Sequence, residues 1–540
     1  MRDFRTCLKG LRQTFKPLRG RAFTSAAIGL VRIAASLAFV WICKRLVDIA
    51  TGVIDAPLGP NIAIMIAIML IQIISGIALT WWDKYINIKS QNEERYSIFS
   101  HLLGSRWRGR ELFHSADSIN RLETDTATVV DLLCSRVPDA FVTLCQLVAA
   151  SVYLLSMAPD LLWMLVALMC FAVLGSRLFF KTIRKITERI RACESHIQEH
   201  MQESLQNRVL VLTLIGTGRV MEKLGLLQKD LEGNYVSRLN YNAAARGFLS
   251  LGFTGGYAAA FIWGVLGIRD GSVTYGMMTA FLQLVGQVQR PINDLSRHIP
   301  AFIHALTSLE RLSDLTDLPE EDESERVLFP TAPEIKVEGV SFTYPDGGFK
   351  VLENFSHTFP GGSMTVIMGP TGRGKSTLVR LILALLTPEC GSISIGDVKA
   401  GTGTRCNFMY VPQGSSLMSG TIRENLLLAR SDAGEEEMEA ALRTAAADFV
   451  LDSLPQGLDT MCSEVGGGLS EGQAQRIAIA RALLHEGKVL ILDESTSALD
   501  AGTEERLLEN LKRDLKGEKT ILFISHRESV CSCADEILKM

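Results

Sequence analysis

Two kinds of hydrophobic pattern divide this sequence of 540 residues. Up to about residue 290 the chain contains long apolar runs, whereas beyond about residue 335 the apolar runs are short and separated by glycines and polar residues. A helix needs roughly 20 apolar residues to cross a hydrocarbon core of about 30 Å. Six runs meet or approach that length, near 22–48, 61–82, 137–157, 160–180, 247–268 and 272–290. We therefore predict six membrane-spanning helices, the last of them the most polar, followed by a domain outside the membrane.

The charge of the connecting segments predicts which side of the membrane they face. Lys and Arg are abundant before the first run, between about 83 and 130, and between 181 and 246, but the connections 48–60 and 157–160 contain none. Basic loops stay on the cytoplasmic side of a membrane. We therefore expect a multi-pass protein of the cell (inner or cytoplasmic) membrane, with its N-terminus and C-terminal domain in the cytoplasm. The first run is too long for a signal peptide, and further spans follow it.

A glycine-rich loop with a phosphate-binding pattern follows a short apolar run that predicts a buried strand at 366–368. Residues 369–377 read Gly-Pro-Thr-Gly-Arg-Gly-Lys-Ser-Thr and fit G-x-x-x-x-G-K-[ST]. The glycines allow backbone N–H groups to surround phosphate oxygens at a helix start. We expect Lys375 to reach the β- and γ-phosphates of ATP and Ser376 to bind Mg²⁺. The candidate nucleotide-binding residues of this loop are Gly369, Pro370, Thr371, Gly372, Arg373, Gly374, Lys375, Ser376 and Thr377.

A pair of carboxylates supplies the second part of the predicted chemistry. The largely apolar run at 488–492 predicts a buried strand, and it is followed by Asp493 and Glu494, which is where a P-loop fold delivers acids to its phosphate site. We expect Asp493 to hold Mg²⁺, directly or through water, and Glu494 to act as the general base that polarises the attacking water. The alternative interpretation is a buried parallel strand that ends in acidic residues by chance.

With the segment Leu-Ser-Glu-Gly-Gln at 469–473, these motifs resemble the ATPase of ABC transporters. The resemblance implies that Tyr344 stacks on adenine, that Gln413 senses Mg²⁺ and water, and that His526 contacts the γ-phosphate. It also implies that the 469–473 signature closes over ATP bound to a partner subunit. Ser376, Gln413 and Asp493 are then the candidate metal ligands. The resemblance adds four residues to the candidate nucleotide site: Ser470, Gly472, Gln473 and Asp500.

Several positions depart from the pattern of that family. Glu471 stands where the commonest signature has glycine, which is tolerable if its side chain points to solvent. Arg373 lies inside the phosphate loop, where it could contact phosphate or remain solvated. Gly467 stands where many exporters have an acidic residue. The chain ends at Met540, whereas family members continue with another strand and helices, so we expect a short nucleotide domain that still folds.

The first half of the chain resembles the membrane part of type I ABC exporters, which have two short outer hairpins and two long cytoplasmic segments. The resemblance implies a six-helix all-α transmembrane domain at 1–318 and an α/β P-loop ABC ATPase domain at 334–540. Between them, 319–333 forms an acidic linker, interpreted as a solvated tether. The segments near 111–118 and 212–219 are expected either to carry motion into the membrane helices or to be ordinary connecting loops.

These expectations converge on export driven by ATP hydrolysis. One chain supplies one phosphate loop and one signature, so we expect a homodimer or a heterodimer with another half-transporter. The cargo could be a lipid, a peptide or a drug-like small molecule. Arg32 lies inside the first span, where a charge costs roughly 2.5–3.5 kcal/mol or more at the membrane centre. It could bind an anionic substrate or extend toward a headgroup.

Three other functions fit parts of the sequence. A soluble ABC ATPase of the repair or translation type conflicts with the runs near 61–82 and 160–180. A membrane-anchored ATPase with a regulatory role conflicts with the complete set of nucleotide residues. Importers usually carry their membrane and ATPase parts on separate chains. The sequence contains no nucleic-acid motif, and its 11 cysteines show no metal-binding spacing.

Overall fold

The structure is a computed structural model, and it describes residues 18–107, 115–214, 216–322, 324–344, 349–370, 372–414, 416–462 and 468–540. Within these residues the chain forms two compact units. The first contains the chain up to Phe99 together with Ile119–Thr316, and the second contains Ser100–Ser118 together with Asp317–Met540. Most of the basic N-terminus and positions 111–114 of the first expected coupling segment lie outside the described residues.

Long helices dominate the described chain before residue 317. They are α1 (Leu18–Ala50), α2 (Leu58–Gly104), α3 (Asp117–Met157), α4 (Pro159–Gln206), α5 (Thr217–Arg269) and α6 (Tyr275–Thr316). α3 includes π-helical turns at Arg121–Asp125 and Leu132–Arg136, and a short helix at Arg208–Thr213 precedes α5. Within the described residues, α1 to α5 are long and apolar enough to cross a membrane. α6 is the more polar helix and contains Pro291 and Pro300.

The first unit has an apolar core between its helices. Buried side chains in this core include Leu154 of α3, Leu161 of α4, and Phe281 and Leu284 of α6. α4 and α5 pack along one another, while α6 contacts α1, α3 and α5. α2 is different, because its most apolar stretch is not buried inside the unit. A large apolar surface of this kind is typical of a helix that contacts lipid.

The second unit contains short strands and helices. Its strands are β1 (Ile335–Phe342), β2 (Leu352–Phe359), β3 (Met364–Met368), β4 (Cys390–Ile395), β5 (Val398–Lys399), β6 (Phe408–Val411), β7 (Gly420–Thr421), β8 (Met461–Cys462), β9 (Val489–Asp493), β10 (Thr520–Ile524) and β11 (Glu536–Lys539). Its helices are α7 (Lys375–Ile382), α8 (Ile422–Leu427), α9 (Glu435–Thr444), α10 (Phe449–Asp452), α11 (Glu471–Leu484) and α12 (Ala501–Leu515).

A parallel sheet brings three strand ends together. Its order is β11-β3-β10-β9-β6, beside an antiparallel sheet of order β2-β1-β4-β5 and the small pair β7-β8. β9 and β10 are buried along their whole length, which explains their continuous apolar sequences. Because β10 pairs with both β3 and β9, Met368, Asp493 and Ile524 end at the same edge. Ligands of open α/β sheets bind at the carboxyl ends of the strands.

The last strand corrects the expected end of the second unit. The sequence suggested that the chain stops before any strand beyond the one that precedes His526. Instead, β11 pairs in parallel with β3, and the backbone N–H of Met540 donates to the carbonyl of Met368 at 2.8 Å. β11 contains too few apolar residues to predict a strand from the sequence alone. It forms a strand by pairing with the free edge of β3.

The acidic linker is not a fully solvated tether, so that prediction was wrong for part of it. The Glu321 carboxylate receives two hydrogen bonds from the Arg405 guanidinium, at 2.5 and 2.8 Å. Arg405 also donates to the carbonyls of Leu383 and Ala384, just beyond the C-terminal end of α7. The paired donors of a guanidinium fit a carboxylate closely, so this linker residue is held against the chain that follows the phosphate loop helix.

Candidate functional site

The phosphate loop connects β3 to α7 through glycines in left-handed backbone conformations. Gly372 and Gly374 have φ values of 87° and 89°, which glycine adopts far more readily than other residues. Lys375 begins α7, and its Nζ donates to the carbonyls of Gly369 and Pro370 at 2.6 and 3.2 Å. The lysine therefore lies folded over the loop. Thr371 lies outside the described residues.

The remaining loop residues extend this arrangement into α7. Thr377 is buried, whereas Arg373 is exposed to solvent. The Arg373 backbone N–H donates to the carbonyl of Pro370 at 3.4 Å. A phosphate contact by its side chain stays a prediction.

Asp493 is the last residue of β9 and is only 3% exposed. Burial raises the pKa of its carboxyl, the largest of the influences on it. Its two oxygens lie 3.5 Å from the Ser376 hydroxyl and 3.5 Å from the Tyr410 hydroxyl. Burial, followed by the charge of Asp493, raises the pKa of Tyr410 to about 12, so the phenol keeps its proton. Tyr410 was missed by the sequence reasoning.

The oxygen donors at this place fit Mg²⁺ by their chemistry. Ser376 contributes a hydroxyl and Asp493 a buried carboxylate, and Mg²⁺ is commonly held by one or two such protein groups together with phosphate and water. Within the described residues, no cluster of three or more His, Cys, Asp and Glu side chains could hold a metal by itself. A metal ion here would take its remaining ligands from a bound phosphate and from water.

Glu494 has an unusual backbone and a carboxylate held on both sides. Its φ of 51° lies in the left-handed region, where strain is typical of functional positions. Gln413 Nε2 donates to Oε2 at 2.7 Å, and His526 Nε2 lies 2.8 Å from Oε1. His526 Nε2 is also 3.3 Å from Lys375 Nζ. The structure thus brings four predicted residues together at the carboxyl ends of β3, β6, β9 and β10.

Tyr344 lies beside the start of α7. Its hydroxyl is 3.2 Å from Thr377 Oγ1 and receives a hydrogen bond from Arg380 at 3.2 Å. The Arg380 guanidinium also lies over the Trp107 ring, 5.1 Å from its centre. Neither Arg380 nor Trp107 was predicted. Trp107 is distant in sequence from this segment, and no motif marks it.

The 469–473 signature starts α11 with a reciprocal cap. Gln473 N–H donates to Ser470 Oγ at 3.2 Å, and Ser470 N–H donates to Gln473 Oε1 at 2.8 Å. Gly472 has no room for a side chain, because a Cβ would lie 2.8 Å from the carbonyl oxygen of Ala498. Glu471 is exposed, so a glutamate can replace the usual glycine at this position of the signature. Gly467 lies outside the described residues.

Asp500 caps α12 rather than contacting the phosphate loop. Its carboxylate accepts a hydrogen bond from Thr503 N–H at 3.0 Å, and this contact with Thr503 lowers the pKa of the carboxyl. The loop before it is held by Arg527, which donates to the carbonyls of Ser497 and Leu499. Arg527 was not predicted, although its position directly after His526 was the available signal.

The predicted residues therefore form two groups. Lys375, Ser376, Gln413, Glu494 and their neighbours lie at one sheet edge. Among the described residues, no hydrogen bond or ion pair joins Ser470 or Gln473 to the phosphate loop. In the described part of one chain, the phosphate-binding residues and the capped start of α11 are therefore not joined by such contacts.

Comparisons with known proteins match this arrangement over nearly the whole chain. Residues 23–292 match the family model of the ABC transporter transmembrane region, and residues 352–497 match that of the ABC transporter. The uncharacterized ABC transporter ATP-binding protein y4gM of Sinorhizobium fredii is 30% identical, over 98% of this chain and 92% of that protein. The ATP-dependent lipid A-core flippase of Vibrio cholerae is 28% identical, over 97% and 93%.

A solved structure shows the same fold. The chain is similar to a bacterial Atm1-family ABC exporter with ATP bound, with a TM-score of 0.77 and 25% identity over 97% of this chain and 93% of that chain. These similarities confirm the predicted fold class, a helical membrane part joined to an α/β P-loop domain.

Proposed function

The chain belongs to the ABC transporter family, and we propose that it works as a dimeric half-transporter that exports its substrate by hydrolysing ATP. Family membership makes it a multi-pass membrane protein with an ATPase domain in the same polypeptide. The charge of its loops supports a cytoplasmic ATPase and N-terminus in the cell membrane. The V. cholerae flippase and the Atm1-family exporter, both similar over almost the full length, support export as the direction of transport.

The observation that carries the proposal is the environment of Glu494. Gln413 and His526 each hold one of its carboxylate oxygens, so the base has a fixed orientation beside the phosphate loop. A carboxylate held in this way can take a proton from a water molecule that attacks the γ-phosphate. His526 is also close to Lys375. It would therefore contact both the γ-phosphate and the base.

Lys375 and Ser376 would bind the phosphates and the metal. In the present arrangement the Lys375 ammonium is satisfied by carbonyls of its own loop, and phosphate oxygens would replace them as stronger, charged acceptors. Ser376 and Asp493 would hold Mg²⁺, with Gln413 near it. When bound, this ion would neutralise charge on the β- and γ-phosphates. Tyr344 would stack on the adenine.

The separation of the two groups within one chain supports the dimer. A helix start that carries a serine cap suits an anionic ligand, yet among the described residues of one chain no hydrogen bond or ion pair joins Ser470 to the phosphate loop. A second subunit would bring its own 470–473 segment over the γ-phosphate and complete each site. We propose a homodimer, because the chain has a complete set of both halves. Arg527 holds the 497–499 loop next to His526. This loop would connect the two ATP sites of the dimer.

A single substitution tests the role of Glu494. In purified protein reconstituted into lipid vesicles, Glu494→Gln keeps the hydrogen bonds possible but removes the base. We expect ATP hydrolysis to fall roughly 100-fold or more, in line with losses of 10²–10⁴ for general bases, while ATP binding persists.

The matched control is Glu509→Gln, which neutralises an exposed carboxylate of α12 in the same domain and should hydrolyse ATP almost normally. Near-wild-type hydrolysis by Glu494→Gln would contradict the assignment. ATP hydrolysis that is present in the wild type but never drives movement of any compound would instead contradict the transport function.

A further inference from the structure

A polar cavity of about 700 Å³ lies within the first unit. Its walls come from α1, α2, α3 and α6, all of which contain predicted membrane spans. Arg32 of α1 lies on one wall, between the apolar residues Val31 and Ile33. Arg290 of α6 and Gln72 of α2 line it as well. A cavity with charged walls inside a membrane domain is a candidate binding site, because charge within a membrane is otherwise unfavourable.

Two of the three arginines that line this cavity have no acidic partner among the described residues. Arg136 has Asp131 at 2.9 Å, and His298 has Asp139 at 3.4 Å. Asp294 also lines the cavity and already has an interaction partner. Among the described residues, neither Arg32 nor Arg290 has an ion pair or a hydrogen bond. Two exposed guanidinium groups thus line the same cavity without a partner among the described residues.

Buried polar atoms in the cavity wall give a second, independent sign of a ligand. Gln287 Nε2 donates to Ser36 Oγ at 2.9 Å, but its Oε1 is buried without a hydrogen-bond partner in the described structure. His298 is 6% exposed, and its Nδ1 is likewise buried and unpartnered. Buried polar groups in folded proteins are almost always satisfied, so these atoms require partners that the described chain does not supply.

We propose that this cavity binds the anionic group of the transported compound. Arg32 and Arg290 would contact a phosphate, sulfate or carboxylate, and Gln287 and His298 would hydrogen-bond neighbouring polar atoms of the same compound. The assignment of this ligand as cargo rests on the proposed export function, whereas the binding itself does not. An amphipathic anion suits the site, because apolar side chains such as Ile73 and Val142 complete the walls.

The anion could belong to a lipid or to a water-soluble compound, and the experiment separates the two. Full-length protein is placed in phosphatidylcholine nanodiscs without ATP, and equilibrium binding is measured for two pairs of probes. The soluble pair is 4-methylumbelliferyl phosphate and uncharged 4-methylumbelliferone. The lipid pair is phosphatidic acid and diacylglycerol. Within each pair the members differ by the phosphate, so selective binding of the first member measures recognition of the anion.

The expected result is phosphate-selective binding that depends on both arginines. Arg32→Gln and Arg290→Gln should each weaken binding of the phosphate probe roughly tenfold or more, as expected for loss of a charge-assisted contact. Arg32→Lys should keep much of the affinity. The matched control is Arg177→Gln, which removes an arginine of α4 that lines a separate apolar groove and should leave binding unchanged.

Each outcome has a defined meaning. Selective binding of phosphatidic acid alone identifies a lipid anion, and selective binding of the soluble phosphate alone identifies a water-soluble one. No selectivity for either phosphate overturns the proposal. Unchanged phosphate binding in Arg32→Gln and Arg290→Gln also overturns the proposal, and a loss of dimer formation in those variants would show that the arginines contact a partner subunit instead. ATP hydrolysis measured on the same samples shows separately whether the proposed function holds.

Discussion

The two units satisfy their polar groups in opposite ways. In the second unit the acids of the candidate site are already held by the chain, as Glu494 is by Gln413 and His526. In the first unit Arg32 and Arg290 face a cavity without partners in the described structure. A site that performs the same reaction on the same nucleotide can be assembled in advance, and pre-assembly favours catalysis. The proposed cargo site would be completed only by its cargo.

This difference predicts that the largest effects will follow changes to the assembled site, and a mixed-subunit experiment measures them most sharply. Lys375→Ala damages the phosphate loop and Ser470→Arg damages the signature. Each variant alone should lose about 100-fold or more of its ATP hydrolysis, as for the removal of a group that stabilises the transition state. In a homodimer made from both variants, one site combines the two damaged halves and the other combines two intact halves.

Mixing should therefore restore activity. With random pairing half of the dimers are mixed, so we expect about a quarter of wild-type hydrolysis if the two sites of the symmetric dimer act independently. Mixing Lys375→Ala with itself is the control and should restore nothing. If the wild-type chain is monomeric and inactive alone but hydrolyses ATP with a second half-transporter, the homodimer proposal is wrong.

The same contrast explains what the sequence could predict. Predicted strands at 366–368 and 488–492 coincide with β3 and β9, and parallel pairing through β10 brings their ends together. A short motif therefore indicated a three-dimensional site, because the sheet has few ways to arrange such strands. Tyr410, Arg380 and Arg527 were missed, because each acts through a tertiary contact that has no local pattern.

Prediction was less complete in the first half of the chain. The run at 61–82 lies in α2 and the run at 160–180 in α4, but both helices continue far beyond the apolar residues. Hydropathy marks the part of a helix that contacts lipid and gives no signal for its polar extension. α6 continues through Pro291 and Pro300, where proline usually ends or kinks a helix.

The cavity could not be predicted from the sequence at all. Arg32 was recognised as an unusual charge, but whether it faces lipid, protein or a cavity depends on the rotation of α1 about its axis. Arg290 and Gln287 lie on α6, and His298 is about two turns further along the same helix. Only the packing of α1 and α6 against their neighbours brings these side chains to one cavity.

A second prediction concerns the nucleotide base and has an intermediate effect. Stacking of an aromatic ring on a base contributes about 1–3 kcal/mol, so Tyr344→Ala should raise the ATP concentration for half-maximal hydrolysis roughly 5- to 150-fold. Tyr344→Phe keeps the ring but loses the contacts with Thr377 and Arg380, and should have a much smaller effect. Equal losses in both variants would show that the hydroxyl contacts, rather than stacking, matter.

The smallest expected effect tests whether the assembled site is unfavourable without its ligands. Burial raises the pKa of Asp493, so folding disfavours the ionised form. Below the ordinary aspartate pKa of about 3.9 the carboxyl is neutral in both states and carries no penalty. As the pH rises through the folded-state pKa, the penalty develops fully. At pH 7 without nucleotide, Asp493→Asn should therefore raise the thermal unfolding midpoint modestly while hydrolysis is lost.

That gain should shrink as the pH is lowered toward 4, because the wild-type carboxyl then becomes neutral as well. Asp500→Asn is the matched control, since its contact with Thr503 lowers the pKa of Asp500 and ionisation favours the folded state. Its unfolding midpoint should fall slightly at pH 7, and that deficit should disappear at pH values below the lowered pKa. If Asp493→Asn instead lowers the midpoint at pH 7, the contacts with Ser376 and Tyr410 outweigh burial. The ATPase site would then be stable without its metal, and the contrast with the cavity of the first unit would be stronger.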